Sequence, residues 1–136
     1  EKKAVELGGC FNHRFNLSSA VMIKDNHIKA AGSILKACGK IRAKLPHTTK
    51  IEVEVQNIDM LKQALKAKAD IIMLDNMNCK EMKKAVEIND GKAILEASGG
   101  INKETIVDIA KTGVDVISVG ALTHSYKSLD ISLNIV

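Results

Sequence analysis

Apolar and polar positions along the chain fall into two alternating patterns. Residues 20–23, 71–74 and 116–119 are short, continuously apolar or β-branched runs, the pattern of strands buried on both faces. Ile51-Glu52-Val53-Glu54-Val55 and Ala93-Ile94-Leu95-Glu96-Ala97 are two further runs, each carrying acids among its apolar residues. Between the runs the spacing turns helical. Ile58, Leu61, Ala64 and Leu65 recur on one helix face, with Asn57 placed to cap its start. Asn78 followed by Glu81 reads as a capping box ahead of Met82, Ala85 and Val86. Asn102 is expected to cap a helix that bears Ile106, Ile109 and Ala110 and stops at Gly113. Residues 28–45 read as one more helix, interrupted in propensity by Gly32 and Gly39 and closed by Pro46.

Five strands joined by four helices predict parallel neighbours, because a crossover of this length returns the chain in the same direction. No Gly-x-Gly-x-x-Gly follows any strand, which disfavours the dinucleotide-binding form of the doubly wound fold. An α/β barrel, or part of one, remains. Each apolar run ends in polar or Gly residues: Lys24-Asp25, Glu54, Asp75, Ser98-Gly99-Gly100 and Gly120. In a (β/α) barrel those ends form the mouth where chemistry is done. A full barrel needs roughly 200 residues or more. The 136 residues here therefore predict an incomplete barrel of about five βα units, its later part.

Composition narrows the function. The apolar fraction of 46% suits a packed domain and excludes a disordered tail. No apolar run approaches the roughly 18 residues of a membrane span, and residues 1–5 lack a secretory signal pattern. The net charge of +4 comes from scattered lysines. The only aromatic residues are Phe11, Phe15 and Tyr126, so no stacking platform for nucleic acid is expected. Cys10, Cys38 and Cys79 are odd in number and widely spaced, which fits a reducing cytoplasm better than disulfides or zinc. Cys10, after Gly8-Gly9, reads as a small residue in a tight turn. The chain opens on Glu1-Lys2-Lys3 rather than Met, as a piece cut from something longer would.

The candidate chemistry gathers at the predicted mouth. Ser98-Gly99-Gly100 follows a strand and precedes the helix expected at Asn102, an arrangement that suits a phosphate. Gly120, with His124 after it, forms a second Gly turn on the next strand, and paired loops there are where barrels hold phosphate. Glu54 and Asp75, on successive strands, could bind sugar hydroxyls, hold a magnesium ion or face a developing cation. Asp75 could instead cap the helix after Asn76. Glu52 lies on the face of Glu54 but deeper, as a hydrogen-bonded interior acid. His13, Arg14 and Lys24 add positive charge suited to an anionic substrate such as a carboxylic acid. Asp25 and His27 alone make a weak metal motif, and His47 is given no role.

Six segments in this order and spacing carry a resemblance: Gly8-Gly9-Cys10-Phe11-Asn12-His13-Arg14, Ile23-Lys24-Asp25-Asn26-His27-Ile28, residues 51–55, Met73-Leu74-Asp75-Asn76-Met77, Glu96-Ala97-Ser98-Gly99-Gly100-Ile101 and residues 118–124. Together they resemble the C-terminal half of the quinolinate phosphoribosyltransferases. The resemblance implies a phosphoribosyltransferase-type α/β barrel, with residues 1–136 as the later part of its catalytic domain and an N-terminal domain and first barrel strand lying outside the chain. It implies transfer of ribose 5-phosphate from phosphoribosyl pyrophosphate to quinolinate, with magnesium, giving nicotinate mononucleotide, pyrophosphate and carbon dioxide in a cytoplasmic homo-oligomer. His13 and Arg14 would hold the quinolinate carboxylates, and Lys24 would lie between the substrates. Glu54 and Asp75 would bind ribose hydroxyls, with magnesium nearby, and stabilise positive charge at the anomeric carbon. Ser98, Gly99, Gly100 and Gly120 would cradle the 5-phosphate, with His124 close by. Cys10 stands where the family usually has a third Gly, and Lys68 replaces a usual helix-ending Gly. A fragment of this extent is expected not to turn over alone. The rival readings are the molybdenum-transport-associated paralogue, a thiamine-phosphate-synthase-like barrel and a non-catalytic phosphate-binding module.

Overall fold

A computed structural model of the chain describes residues 2–14, 16, 17 and 19–135; Phe15, one of the three aromatic residues, lies outside them. The element order is α1 (Lys2–Leu7), β1 (Val21–Ile23), α2 (Asp25–Ala31), α3 (Ile34–Arg42), β2 (Ile51–Val55), α4 (Ile58–Lys66), β3 (Ile71–Asp75), α5 (Cys79–Asn89), β4 (Ile94–Ser98), α6 (Ile106–Ala110), β5 (Val116–Ile117) and α7 (Ala121–His124). The five strands form one parallel sheet in sequence order, β1-β2-β3-β4-β5. That order, with a helical crossover at each step, is the wall of a (β/α) barrel.

Register divides the sheet into two unlike faces. Ile23, Ile51, Val53, Val55, Ile72, Leu74, Leu95 and Ala97 share one face and are buried under the helices with Ile34, Leu61, Ala64, Met82, Ala85 and Ile109. The alternate positions, Met22, Glu52, Glu54, Met73, Asp75, Glu96 and Ser98, make the other face. This second face is the inner wall, and it carries the acids. At the start of its strands Ile94 and Val116 stand open to solvent at 37% and 42% exposure, as the interior of an unclosed barrel must.

Local chemistry fixes the ends of the elements. Asn57 Oδ1 accepts from the Met60 N–H at 2.9 Å. Asn78 and Glu81 form the predicted capping box, each accepting from the other's backbone N–H at 3.0 and 3.1 Å. The caps also release Asp75 from the alternative role of helix cap, because Asn78 fills it. Asp70 and Asp115, one residue ahead of β3 and β5, accept from N–H groups at the start of the neighbouring strands, Ile51 and Leu95, both at 2.8 Å. The same device thus sets the register of two crossovers.

Three expectations need correction. Residues 28–45 are two helices, because Gly32 takes φ 85° as the C-cap of α2 and Ser33 Oγ starts α3 by accepting from Lys36 N–H. The helix expected at Asn102 begins at Ile106: Asn102 Oδ1 does accept from the Glu104 and Thr105 N–H groups, but it closes a turn that precedes α6. The last strand covers only two residues, since Ser118 gives its N–H to Ala97 and the chain then leaves the sheet. Beyond α7 the chain has no regular secondary structure through residue 135, and Leu129, Ile131, Leu133 and Ile135 alternate with polar residues at 80–96% exposure.

Candidate functional site

The carboxyl ends of β1 to β4 bring most of the predicted residues to one rim. Lys24 occupies the N-cap of α2, where His27 Nδ1 accepts its backbone N–H at 3.0 Å, and its Nζ reaches Glu54 Oε2 at 3.0 Å. Glu54 is half-buried as a residue, and its side chain is 13% exposed, so the pair lies partly within the wall. Asp75 ends β3 in register with Ser98 at the end of β4, and its Oδ1 accepts from Asn76 Nδ2 at 3.0 Å. Asp25 is spent on Lys29 at 3.0 Å, an ion pair that holds its carboxyl below the usual value, and His27 is spent on Lys24. The Asp25–His27 metal motif is therefore structural.

The Gly turn after β4 is built for a close backbone approach. Asn76 N–H donates to Ser98 O at 2.9 Å, Gly99 takes φ 96° and Gly100 φ 61°. A Cβ on Gly99 would stand 2.9 Å from Asn76 N and collide with the Asn76 side-chain amide. Gly99→Ala is thus expected to lower stability by more than about 1 kcal/mol through both φ and contact, seen as an earlier denaturant midpoint at unchanged slope. Because the amides of residues 104 and 105 serve Asn102, an anion is left to the turn itself rather than to a helix terminus. Gly120 follows the adjacent strand and starts the single-turn α7; His124 folds back over it, so that a Cβ there would meet His124 Nε2 at 3.0 Å. His124 Nδ1 is also 2.7 Å from Ser125 Oγ.

The stretch of residues 8–14, which follows α1, reaches the inner wall at His13. Gly9, at φ 78°, turns it with an exposed Cys10, as the small-residue reading anticipates. Asn12 Nδ2 ties it to Lys2 O and Glu6 Oε1, each at 3.2 Å. Arg14 Nη1 donates to Ala20 O at 3.3 Å. His13 lies over two buried acids, with Nε2 4.0 Å from Glu52 Oε2 and Nδ1 3.8 Å from Glu96 Oε1. One donor atom from each of the three lies within 4.8 Å of the others. Glu96 is visible in its strand by sequence but has no role there, although its two-residue offset from Ser98 is the available signal. Its Oε1 accepts a short hydrogen bond from Ser118 Oγ.

Glu52 contradicts the expectation of a hydrogen-bonded interior acid. It is 3% exposed, and its Oε1 has no hydrogen-bond partner. Burial chiefly, and then repulsion from Glu96, raises its pKa from 4.5 to about 7, against the pull of Arg14 and Lys24.

Two open pockets lie away from this rim. One of about 630 Å³ sits beside the free edge of β1, lined by Val21, Lys40, Ile41, Lys44 and Leu45. Another of about 510 Å³ lies at the opposite ends of the strands, beside Asp70, Asn89 and Asp115. The rim is an open trough because the wall does not close.

Fold and rim together define a barrel-type α/β protein whose polar residues meet at the carboxyl ends of parallel strands. Residues 1–134 match the family model described as quinolinate phosphoribosyl transferase, C-terminal domain. A probable carboxylating nicotinate-nucleotide pyrophosphorylase of Bacillus subtilis is 47% identical over 135 residues, covering 99% of this chain and 47% of that protein. Its counterpart in Methanocaldococcus jannaschii is 48% identical over 143 residues, 100% of this chain and 50% of that one. The chain thus spans about half the length of these relatives. Among solved structures, the nicotinate-nucleotide pyrophosphorylase of Francisella tularensis superposes with a TM-score of 0.84 at 55% identity, over 88% of this chain and 42% of that one. NadC from Streptococcus pyogenes gives 0.90 at 46%, over 95% and 45%. The chain belongs to the quinolinate phosphoribosyl transferase C-terminal domain family. A thiamine phosphate pyrophosphorylase of Pyrococcus furiosus, at 22% identity and a TM-score of 0.58, shares the fold alone.

Proposed function

We propose that this chain carries most of the substrate site of an enzyme that transfers ribose 5-phosphate from phosphoribosyl pyrophosphate to quinolinate and releases carbon dioxide. The observation that supports this most is the rim itself: Lys24, Glu54, Asp75 and the Gly99 turn follow one another along the carboxyl ends of neighbouring strands, and Arg14 lies close enough to the floor to act on Glu52. His13 and Arg14 hold the two carboxylates of the pyridine ring. Lys24 stands between the substrates, paired with Glu54 until an anion competes for it. Glu54 and Asp75 accept from the ribose hydroxyls and face the positive charge that develops at the anomeric carbon as diphosphate departs. The ring nitrogen attacks that carbon; loss of the neighbouring carboxylate as carbon dioxide then leaves an electron pair on the ring carbon that takes up a proton. Ser98, Gly99, Gly100, Gly120 and His124 enclose the 5-phosphate.

Magnesium fits this reading as part of the diphosphate substrate. Glu54 is matched by an ammonium and Asp75 by an amide, so both suit hydroxyls better than a resident ion. Among the described residues the inner face bears Glu52, Glu54, Asp75 and Glu96 against Arg14, Lys24 and His13. Further cations from outside the chain, and a second subunit in the intact enzyme, complete the site in this proposal. The chain alone then binds ligand without turnover.

Calorimetry tests it. Quinolinate is expected to bind the chain and to lose at least about tenfold in affinity in Arg14→Ala, since a charge-assisted bidentate contact contributes about 1.5–3 kcal/mol. Binding of phosphate without quinolinate would support a bare phosphate module instead. Robust nicotinate mononucleotide formation by the chain alone would overturn the view that its site is incomplete.

A further inference from the structure

The mechanism above leaves two buried acids without a task. Glu52 and Glu96 lie two residues below Glu54 and Ser98 on their strands, so they floor the trough rather than rim it. Nothing on the sheet requires acids there: the neighbouring inner-face residue, Met73, is apolar and 7% exposed. What faces them is His13, on the stretch that follows α1.

The ring's orientation is informative. Nε2 faces Glu52 and Nδ1 faces Glu96, so the imidazole stands edge-on between the two carboxylates. A single metal ion would draw one ring nitrogen and one oxygen of each acid to a common point. Here the two nitrogens serve different acids, and Glu96 Oε1 is already engaged by Ser118. The geometry suits a bridge, not a chelate. At 3.8–4.0 Å the contacts are longer than hydrogen bonds, so they orient the ring and leave room to tighten.

We propose that Glu52 and Glu96 are positioning residues that hold the His13 ring between them and so set the Asn12–Arg14 turn over the trough, ready for a dianionic aromatic ligand. The ligand part of this inference rests on the proposed function; the His13 part does not. Three ties fix the turn: Asn12 to α1, His13 to the floor and Arg14 to the Ala20 carbonyl. Of these only the His13 tie lies at the centre of the trough. Ser118, just past β5, fixes the Glu96 carboxylate, which makes it the stiffer of the two supports. Glu52, with its Oε1 unpartnered, is the adjustable one.

The proposal predicts a result opposite in sign to simple electrostatics. Removing a buried negative charge beside an anion site should strengthen anion binding. If the acids act by positioning, Glu52→Gln and Glu96→Gln each weaken quinolinate binding about tenfold. The ring nitrogens of His13, followed by ¹⁵N NMR without ligand, shift in both variants. Glu52→Asp keeps the charge one methylene further back and falls between. His13→Gln added to Glu96→Gln costs less than its effect alone, because both break one connection. Unchanged or stronger binding in both Gln variants, or His13 nitrogen signals identical to the parent's, overturns the proposal. Should the parent chain bind no quinolinate, the functional reading fails, and the His13 signals alone still decide whether the acids hold the ring.

Discussion

At pH 8, Glu52→Gln should melt about 10 °C above the parent chain, and near pH 4 the two should melt together. Folding raises the pKa of Glu52 from 4.5 to about 7, so the native state holds this proton more tightly than the unfolded state does. The contribution of Glu52 to stability is therefore best below pH 4.5. It declines as pH rises through the interval to about 7 and is lost above that. The shift corresponds to about 3 kcal/mol, which for a chain of this size moves the melting temperature by roughly 10 °C. Glutamine has nearly the shape of the protonated acid and stays neutral, so it escapes the decline. Melting curves at pH 4, 6 and 8 check this, and a parent chain whose stability rises from pH 5 to 8 by more than the Gln variant's would contradict it. Taken with the expected loss of ligand affinity, the substitution separates stability from function. A buried, poorly satisfied acid is tolerated where it orients a ligand-binding segment, at a cost in stability.

The parts of the molecule that could be read from the chain are those decided within a few residues. β2 and β3 followed from β-branched runs, and the starts of α4 and α5 from Asn57 and Asn78, because a side chain three residues away completes each cap. The mouth could be read for a related reason: on parallel strands the last residues converge wherever the barrel closes, so Lys24, Glu54, Asp75 and Ser98 needed only correct strand ends. The break at Gly32 was harder, since a helix with a Gly in it and two helices meeting at one have the same apolar spacing. The late start of α6 was hidden because Asn102 makes identical bonds in a turn and in a cap.

The floor of the trough could not be read locally at all. Whether Glu96 is a buried acid depends on β4 register, on Ser118 22 residues away and on His13 much further off. Within Ile94-Leu95-Glu96-Ala97-Ser98 it is one polar residue in a strand. Glu52 was placed inside by alternation, but a partner was assumed for it because buried polar groups usually have one. The exception arises where the inner wall of an open barrel sets two acids toward the same space.

Lys24→Ala is expected to cost the chain tenfold to a hundredfold in quinolinate affinity, the range of one charge-assisted contact. The ammonium does more than meet a carboxylate. It neutralises Glu54 at 3.0 Å, and with Arg14 it draws down the pKa of Glu52, against Glu96 and Glu54, which raise it. Without Lys24, Glu54 faces an incoming dianion unmatched. Glu52 also keeps its proton to higher pH, which loosens its hold on His13. The two effects separate with pH. In the parent, affinity for the dianion should fall from pH 8 to pH 6 as Glu52 becomes protonated and loosens its hold on the His13 ring, and this loss should flatten in Glu52→Gln. In Lys24→Ala the loss should set in at higher pH, on a curve lying below the parent's throughout. Titration calorimetry at pH 6, 7 and 8 on the three chains reads both features. A Lys24→Ala curve that coincides with the parent's would show that the ammonium serves Glu54 alone and takes no part in holding the anion.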